Sequence, residues 1–425
     1  MLTESPLFDW KDPCTSAHAL ASVAPGPGSN PWKVGGSQPR SRWSTRTTRA
    51  SDRSAKQSSS ADLDPSPGVD SIAFAIPGGG VRTIAPTSAL PPITRSVDLD
   101  ATTQAGYADS PLIQLDGIAA GLTDGIFLGG GFDGSPDGST VRGLAVDRFQ
   151  ANGMGVESAN DVAIRGNYIG VDPTGTIAEG NGGDGIGNGG TYVISRTVIG
   201  GTGSGDGNVI SGNANSGVGD GGDLTVIQGN RIGIDTSGTH ALGNEFGIVF
   251  GDRTTVGGTS VGAGNLISGN RLDGLTIGSH SGDRNLIEGN LIGTDASGTR
   301  PLGNGRDGID VGASAYNSIG GTAPGAGNVI SGNGGDGIFV TYEFDSRSDY
   351  EGSTLGAPYQ RIEGKVIGTD RRGLLDLGNR GNGISFSVMS SGTIGGTAPG
   401  GGNLIAHNKL QPISFPGGSN GHPGR

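Results

Sequence analysis

Residues 286–333 read LIEGNLIGTDASGTRPLGNGRDGIDVGASAYNSIGGTAPGAGNVISGN, and most of the remaining chain is this passage rewritten. The phrase that closes it, NVISGN at Asn328–Asn333, also stands at Asn208–Asn213, as NLISGN at Asn265–Asn270 and in decayed form as NLIAHN at Asn403–Asn408. The phrase that opens it, IEGN ending at Asn290, returns as IRGN ending at Asn167, IQGN ending at Asn230 and IEGK ending at Lys365. Like copies are 57, 63 and 75 residues apart in one register and 63, 60 and 75 in the other. A period of this kind is the mark of one supersecondary unit stacked on itself.

The unit is built from short apolar runs separated by Gly, Asn, Asp and Thr. Gly247 to Phe250, Thr254 to Gly257 and Asn265 to Ser268 form three candidate strands with a turn after each, which fits one coil. Cutting after the recurring Asn gives coils ending at Asn181, Asn213, Asn244, Asn270, Asn304, Asn333, Asn379 and Asn408. Compact coils alternate with coils carrying an extra loop such as Asp295 to Thr299, so the long repeat is two coils. Inward positions alternate, as in Ile309 and Val311 or Ile338 and Val340. Helical repeats require amphipathic stretches of about ten residues, and no window supplies one. The reading is therefore all-β: a single-stranded parallel β-helix of about ten three-strand coils, each about 4.8 Å deep, forming a rod on the order of 50 Å long.

Composition supports a slender rod. Glycine supplies 87 of 425 residues without a Gly-X-Y triplet, which excludes collagen, and apolar residues are only 32%. The net charge is −12; residues 1–66 hold eight Lys/Arg and six Asp/Glu, hence +2, which leaves −14 on the body. Such a body repels phosphate backbones and argues against a nucleic-acid partner. The lone Cys14 excludes a disulfide framework and a Cys-based zinc site. No run approaches the roughly 18 apolar residues of a membrane span, and no export signal is readable at Met1 to Asn30. Residues 1–66 read as a disordered basic Ser/Pro/Arg-rich tail, 67–152 as N-terminal coils, 153–408 as regular coils, and 409–425 as an incomplete last coil or tail.

The consensus GNxIGTDxSGTxxLGNxxGIxVxxxxxxIGGTxPGAGNVISGN over residues 153–408 resembles the right-handed parallel β-helix repeat of large secreted or cell-surface bacterial proteins, a family related in fold to pectate lyases. The preceding DSIAFAIPGGG from Asp70 is similar to the usual opening of those domains. The resemblance implies an extracellular or cell-surface location. It leaves activity open, because such proteins include lyases, hydrolases, epimerases and chains without known reaction.

Several residues are candidates for chemistry. The recurring Asn at 167, 230 and 290, and at 208, 265 and 328, are expected to stack as structural ladders, with Lys365 and His407 as interruptions. Asp172, Asp235, Asp295 and Asp370 open equivalent loops; a carboxylate there forms turns, and beside hydroxyl and carbonyl oxygens it is also a weak calcium candidate, so the expected cofactor is none or calcium. The Gly-Gly-Thr segments at Gly200, Gly257, Gly320 and Gly395 lack the following helix of a phosphate cradle. The first strand of each coil forms the polysaccharide groove in enzymes of this fold. Asp220, Asp252, His280, Asp310 and Glu343 lie there on five consecutive coils, and Asp252, Asp310, Glu343 and His280 are the catalytic candidates. The motifs of polygalacturonases, pectate lyases and alginate epimerases do not occur. The expectation is a scaffold or ligand-presenting module for carbohydrate or cell-surface structures, with a polysaccharide hydrolase, lyase or epimerase as one alternative and a purely structural fragment of a longer surface protein as another. A further chain or partner is expected at the C-terminal end of the solenoid.

Overall fold

A computed structural model describes residues 69–129, 135–188, 196–278, 283–312, 314–341, 359–387 and 392–415. Residues 1–68, which contain the segment read as a disordered tail, lie outside it.

The chain is a right-handed parallel β-helix. Every strand pairs in parallel with the equivalent strand one coil away, in three sheets of 11, 11 and 10 strands. The first sheet runs from Asp70–Ala73 to Gly392–Ile394, the second from Arg82–Ile84 to Leu404–Ile405, and the third from Ile126–Gly129 to Ile413–Ser414. Each coil visits them in that order. The strand anticipated as the first of a coil, Phe246–Phe250, belongs to the third sheet.

Register explains why a thin apolar complement is enough. Ile164, Ile199, Ile227, Val256, Ile287, Ile319 and Ile362 occupy one position of successive first-sheet strands. All are fully buried, as are Ile309, Val311, Ile338 and Val340 of the third sheet. Stacked β-branched side chains fill a narrow interior without gaps, and their stiffness at χ1 suits the strand. Each coil thereby buries its apolar edge only against its two neighbours.

Two asparagine ladders seal the corners of the coil. At the corner between the first and second sheets, side-chain amides join Asn167 to Asn208, Asn208 to Asn230, Asn230 to Asn265, Asn265 to Asn290 and Asn290 to Asn328, at 2.9 to 3.2 Å. The two recurring phrases thus alternate in one ladder instead of forming two separate stacks. The reason is that consecutive coils, not alternate ones, are in contact. The coil-ending residues form the second ladder, from Asn181 through Asn213, Asn244, Asn270, Asn304, Asn333 and Asn379 to Asn408. Asn suits both because its oxygen accepts from one coil while its NH2 donates to another.

Lys365 does interrupt the first ladder. It is 1% exposed, its Nζ donates to the carbonyl of Glu363 at 2.8 Å, and it has no acceptor for the coil before it. His407 lies beside the second ladder, not in it. It stands where Gly212, Gly269 and Gly332 stand in earlier copies and keeps their left-handed backbone, φ 61°. The extra loops confirm the two-coil period, since Thr236 N–H donates to Gly175 O and Ala296 N–H to Gly238 O, each bond joining loops two coils apart.

Burial lowers the Lys365 ammonium to about 7, although the Glu288 and Glu363 charges oppose the shift. Between about 7 and its ordinary 10.5 the unfolded chain binds that proton more tightly, so stability rises with pH across this window and the full cost is borne below it. Lys365→Asn restores the ladder and removes the buried charge. It is expected to stabilise the protein by about 1–2 kcal/mol at pH 6, with a smaller gain at pH 9, read from thermal unfolding at both values.

Candidate carbohydrate-binding trough

The outward face of the third sheet carries a depression. Along one register position the side chains run Phe127, Gly155, Gly187, Gly219, Val249, Thr276, Asp310, Phe339 and Ser385. Three stacked glycines therefore leave the sheet without outward side chains of its own at this position over three coils, with the Phe127 ring at one end and Val249 at the other. The result is an open cavity of about 350 Å³, whose lining includes Glu157, Asn188 and Gly221 beside the glycines. That is within the size range of small-ligand sites.

One long wall is a polar column just before each third-sheet strand. Asn152 N–H donates to Asp124 Oδ1 at 2.8 Å, Asp184 N–H to Asn152 Oδ1 at 2.8 Å, and Ser216 N–H to Asp184 Oδ1 at 2.9 Å. The other carboxylate oxygens lean over the bare floor. A methyl group placed on Gly155 would meet Asp124 Oδ2 at 2.5 Å, and one on Gly219 would meet Asp184 Oδ2 at 2.6 Å. Glycine is thus what lets these carboxylates lie on the sheet. Burial raises both carboxyls above the ordinary range: Asn152 N–H opposes it at Asp124 and the Glu157 charge adds to it, while Ser216 and Asn215 oppose it at Asp184. Asp124 and Asp184 are two coils apart, on the order of 10 Å.

Of the residues anticipated on this face, Asp220, Asp252 and Asp310 lie outside the trough. Asp220 is 4% exposed and anchors a turn, accepting from Gly222 N–H, Asn188 Nδ2 and the Thr225 and Thr254 hydroxyls. Asp252 follows its strand and accepts from Asp283 N–H at 2.7 Å. Asp310 is two coils further on, at the centre of Ile309–Val311 and in register with Val249 of the Asp252 coil, three residues short of Asp252 itself. The two are not brought together. His280 and Glu343 lie outside the described residues.

Asp172, Asp235 and Asp295 are loop caps. Asp172 accepts from Thr174 N–H and hydroxyl, Thr176 N–H and Ile177 N–H, and Asp295 accepts from the Ser297 hydroxyl, Thr299 N–H and Arg300 N–H. Asp235 repeats the pattern with Ser237, Thr239 and His240, and Asp370 accepts from Leu374 and Leu375 N–H. Burial pushes the first three carboxyls up, but these bonds outweigh it and hold them below the ordinary range. Backbone N–H groups thus hold each carboxylate in its loop. Among the described residues, no three His, Cys, Asp or Glu converge as a metal site.

The polar column resumes further along the rod. Asp307 N–H donates to Asp273 Oδ1, Asp336 N–H to Asp307 Oδ1 and Asn382 N–H to Asp336 Oδ1. Burial, with the Asp273 and Asp336 charges, raises Asp307 to about 6. The native state therefore holds a proton that the unfolded chain has released between about 4 and 6, and this contribution is lost as pH rises through that window. Asp307→Asn keeps the acceptor and removes the titration. It is expected to raise the melting temperature at pH 8 and to leave it nearly unchanged at pH 4.

The trough residues did have a signal in the sequence. Gly153-Met154-Gly155, Gly185-Ile186-Gly187 and Gly217-Val218-Gly219 each place glycine on both sides of one inward apolar residue, directly after Asn152, Asp184 and Ser216. The outward glycine was hidden by a composition in which glycine is everywhere.

No family model matches the chain, and no curated protein matches it. Among solved structures it is similar to the A-module of the mannuronan C-5 epimerase AlgE4 of Azotobacter vinelandii, with 16% identity and a TM-score of 0.44 over 84% of this chain and 89% of that one. It is also similar to the Dettilon tailspike protein gp208, with 16% identity and a TM-score of 0.35 over 81% and 61% of the two chains. The alginate lyase of Paenibacillus sp. strain FPU-7 shows 13% identity and a TM-score of 0.35 over 83% and 94%. What these proteins share with the chain is the parallel β-helix fold, and the likeness extends no further.

Proposed function

We propose that the chain is a surface-displayed or exported β-helix that binds a neutral polysaccharide in the trough over Gly155, Gly187 and Gly219. The observation that carries this reading is the glycine floor, a strip three coils long on which the Asp124, Asn152 and Asp184 side chains lie, with an aromatic ring at one end. Flat floors accept sugar rings, and Asp124, Asn152, Asp184 and Glu157 offer acceptors and donors for hydroxyls. Among the described residues, three carboxylates and no basic residue line the cavity, which disfavours polyuronates. A glycan-array screen on the full chain tests it: retention of neutral glycans supports the reading, and a preference for uronate polymers overturns it.

A second reading is favoured by the two raised carboxyls. Their separation, on the order of 10 Å, is close to the ~6.5–9.5 Å of inverting glycosidases. In that reading one protonated carboxyl gives its proton to the glycosidic oxygen, and the other carboxylate takes a proton from the attacking water. New reducing ends from a bound glycan, abolished by both Asp124→Asn and Asp184→Asn, would establish hydrolysis. Binding without new reducing ends leaves the chain a binding scaffold.

A further inference from the structure

Where the third sheet turns into the first, one position has left-handed backbone in every described copy from Gly138 onward. It lies two residues before the register-matched Thr140, Ala163, Val198, Val226, Thr255, Leu286, Ser318 and Arg361. Its occupants are Gly138, Asp161, Arg196, Leu224, Arg253, Arg284, Tyr316 and Tyr359, with φ between 47° and 72°. Elsewhere the chain answers this conformation almost always with glycine. Thirty described glycines have positive φ against eleven other residues, and seven of those eleven stand in this one column. Large side chains are strained in this conformation, and strain that recurs at one place points to a use for the side chains.

The column presents planar polar groups to solvent. The Arg284 guanidinium lies 5.4 Å from the centre of the Tyr316 ring, and the Tyr316 and Tyr359 rings stack at 4.9 Å and 11°. Tyr316 is 50% exposed and Tyr359 63%. Arg196 forms a two-bond pair with Asp161, and Arg253 pairs with Asp223. The arginines nearest the trough are thus neutralised, so the column offers hydrogen-bond donors and aromatic edges without a strong positive field. That chemistry fits a neutral hydroxylated polymer better than a polyanion.

The column also lies beside the trough. Asp161, Arg196 and Leu224 follow the strands that contain Gly155, Gly187 and Gly219, and the arginine and tyrosine stack continues from there. From Asp161 to Tyr359 is six coil steps, roughly 30 Å. Resting on the trough reading, we propose that a long neutral glycan leaves the trough and continues along this corner, held by Arg253, Arg284, Tyr316 and Tyr359. The trough then takes a short oligosaccharide, and the corner gives preference for a long one.

The test is calorimetric titration of the full chain with neutral 1,4-linked glucan, mannan and xylan oligosaccharides of three and nine units. The triple variant Arg284→Gly, Tyr316→Gly and Tyr359→Gly is titrated beside the native protein. Native protein is expected to bind the nine-unit chain at least tenfold more tightly than the three-unit one. The variant is expected to bind both with the native three-unit affinity, and to melt at the same temperature or higher because glycine relieves the strained backbone. Equal native affinity for both lengths, or a length preference kept by the variant, overturns the proposal. So does a variant that melts lower while binding like native protein, which would make the column structural. Failure of the native protein to bind either length overturns the trough reading itself.

Discussion

Asn230→Ala is expected to cost about 3–5 kcal/mol of stability, a loss large enough to lower the melting temperature by many degrees. Asn230 is 1% exposed. Its Nδ2 donates to Ile199 O at 2.9 Å and Asn265 Oδ1 at 3.0 Å, and its Oδ1 accepts from Asn208 N–H at 3.0 Å and Asn208 Nδ2 at 2.9 Å. Alanine removes all four bonds. Asn208 Nδ2 keeps Ile164 O, and Asn265 Oδ1 keeps Asn230 N–H, so those two groups are only partly deprived. Ile199 O and Asn208 N–H are left with less, and each buried unmet group costs about 1–3 kcal/mol. Water cannot substitute readily at a corner closed by coils on both sides. Urea unfolding of the variant decides the matter: a loss under about 1 kcal/mol would show that the ladder contributes little beyond shape.

Gly187→Phe is expected to reduce glycan binding at least a hundredfold while leaving the fold intact. Gly187 faces outward at the centre of the glycine floor, between Gly155 and Gly219. The nearest obstacle to a Cβ is the Asn152 side chain, with Nδ2 at 2.9 Å, and moving it gives up at most the one bond from Asp184 N–H to its Oδ1. The ring would then occupy the trough, and the loss would come from exclusion, not from unfolding. Phe339→Ala is the matched control, an outward position on the same sheet five coils away. If Gly187→Phe binds like native protein while Phe339→Ala does not, the binding surface lies in the second half of the rod.

The repeat was legible because stacking demands the same residue at the same corner of every coil. Asn208, Asn265 and Asn328 announce a ladder in plain text. The interleaving with Asn167, Asn230 and Asn290 was not legible, because a sequence period reports what recurs and not which copies touch. The candidate site was obscured for the opposite reason. Asp252 and Asp310 drew attention as charged residues near an outward strand, whereas the trough is defined by side chains that are missing at Gly155, Gly187 and Gly219. Asp124 and Asp184 belong to a column whose members also include Asn152 and Ser216, so no single residue type marked it. Arg253, Arg284, Tyr316 and Tyr359 follow no common residue type either; only their shared backbone conformation reveals them as one set.

The asparagine ladders make the rod a directed object. In both, each carboxamide as far as Asn290 and Asn379 takes hydrogen bonds on its oxygen from the preceding coil, beginning with Leu144 N–H to Asn167 and Phe149 N–H to Asn181, and gives one from its nitrogen to the following asparagine. Two files of amide dipoles therefore point the same way along the axis and reinforce one another. The two ends of each ladder are chemically unlike: the first oxygens, on Asn167 and Asn181, are met by backbone N–H groups, whereas the last nitrogens, on Asn328 and Asn408, turn to backbone carbonyls. Anything that prolongs the second ladder beyond Asn408 must arrive with an oxygen first.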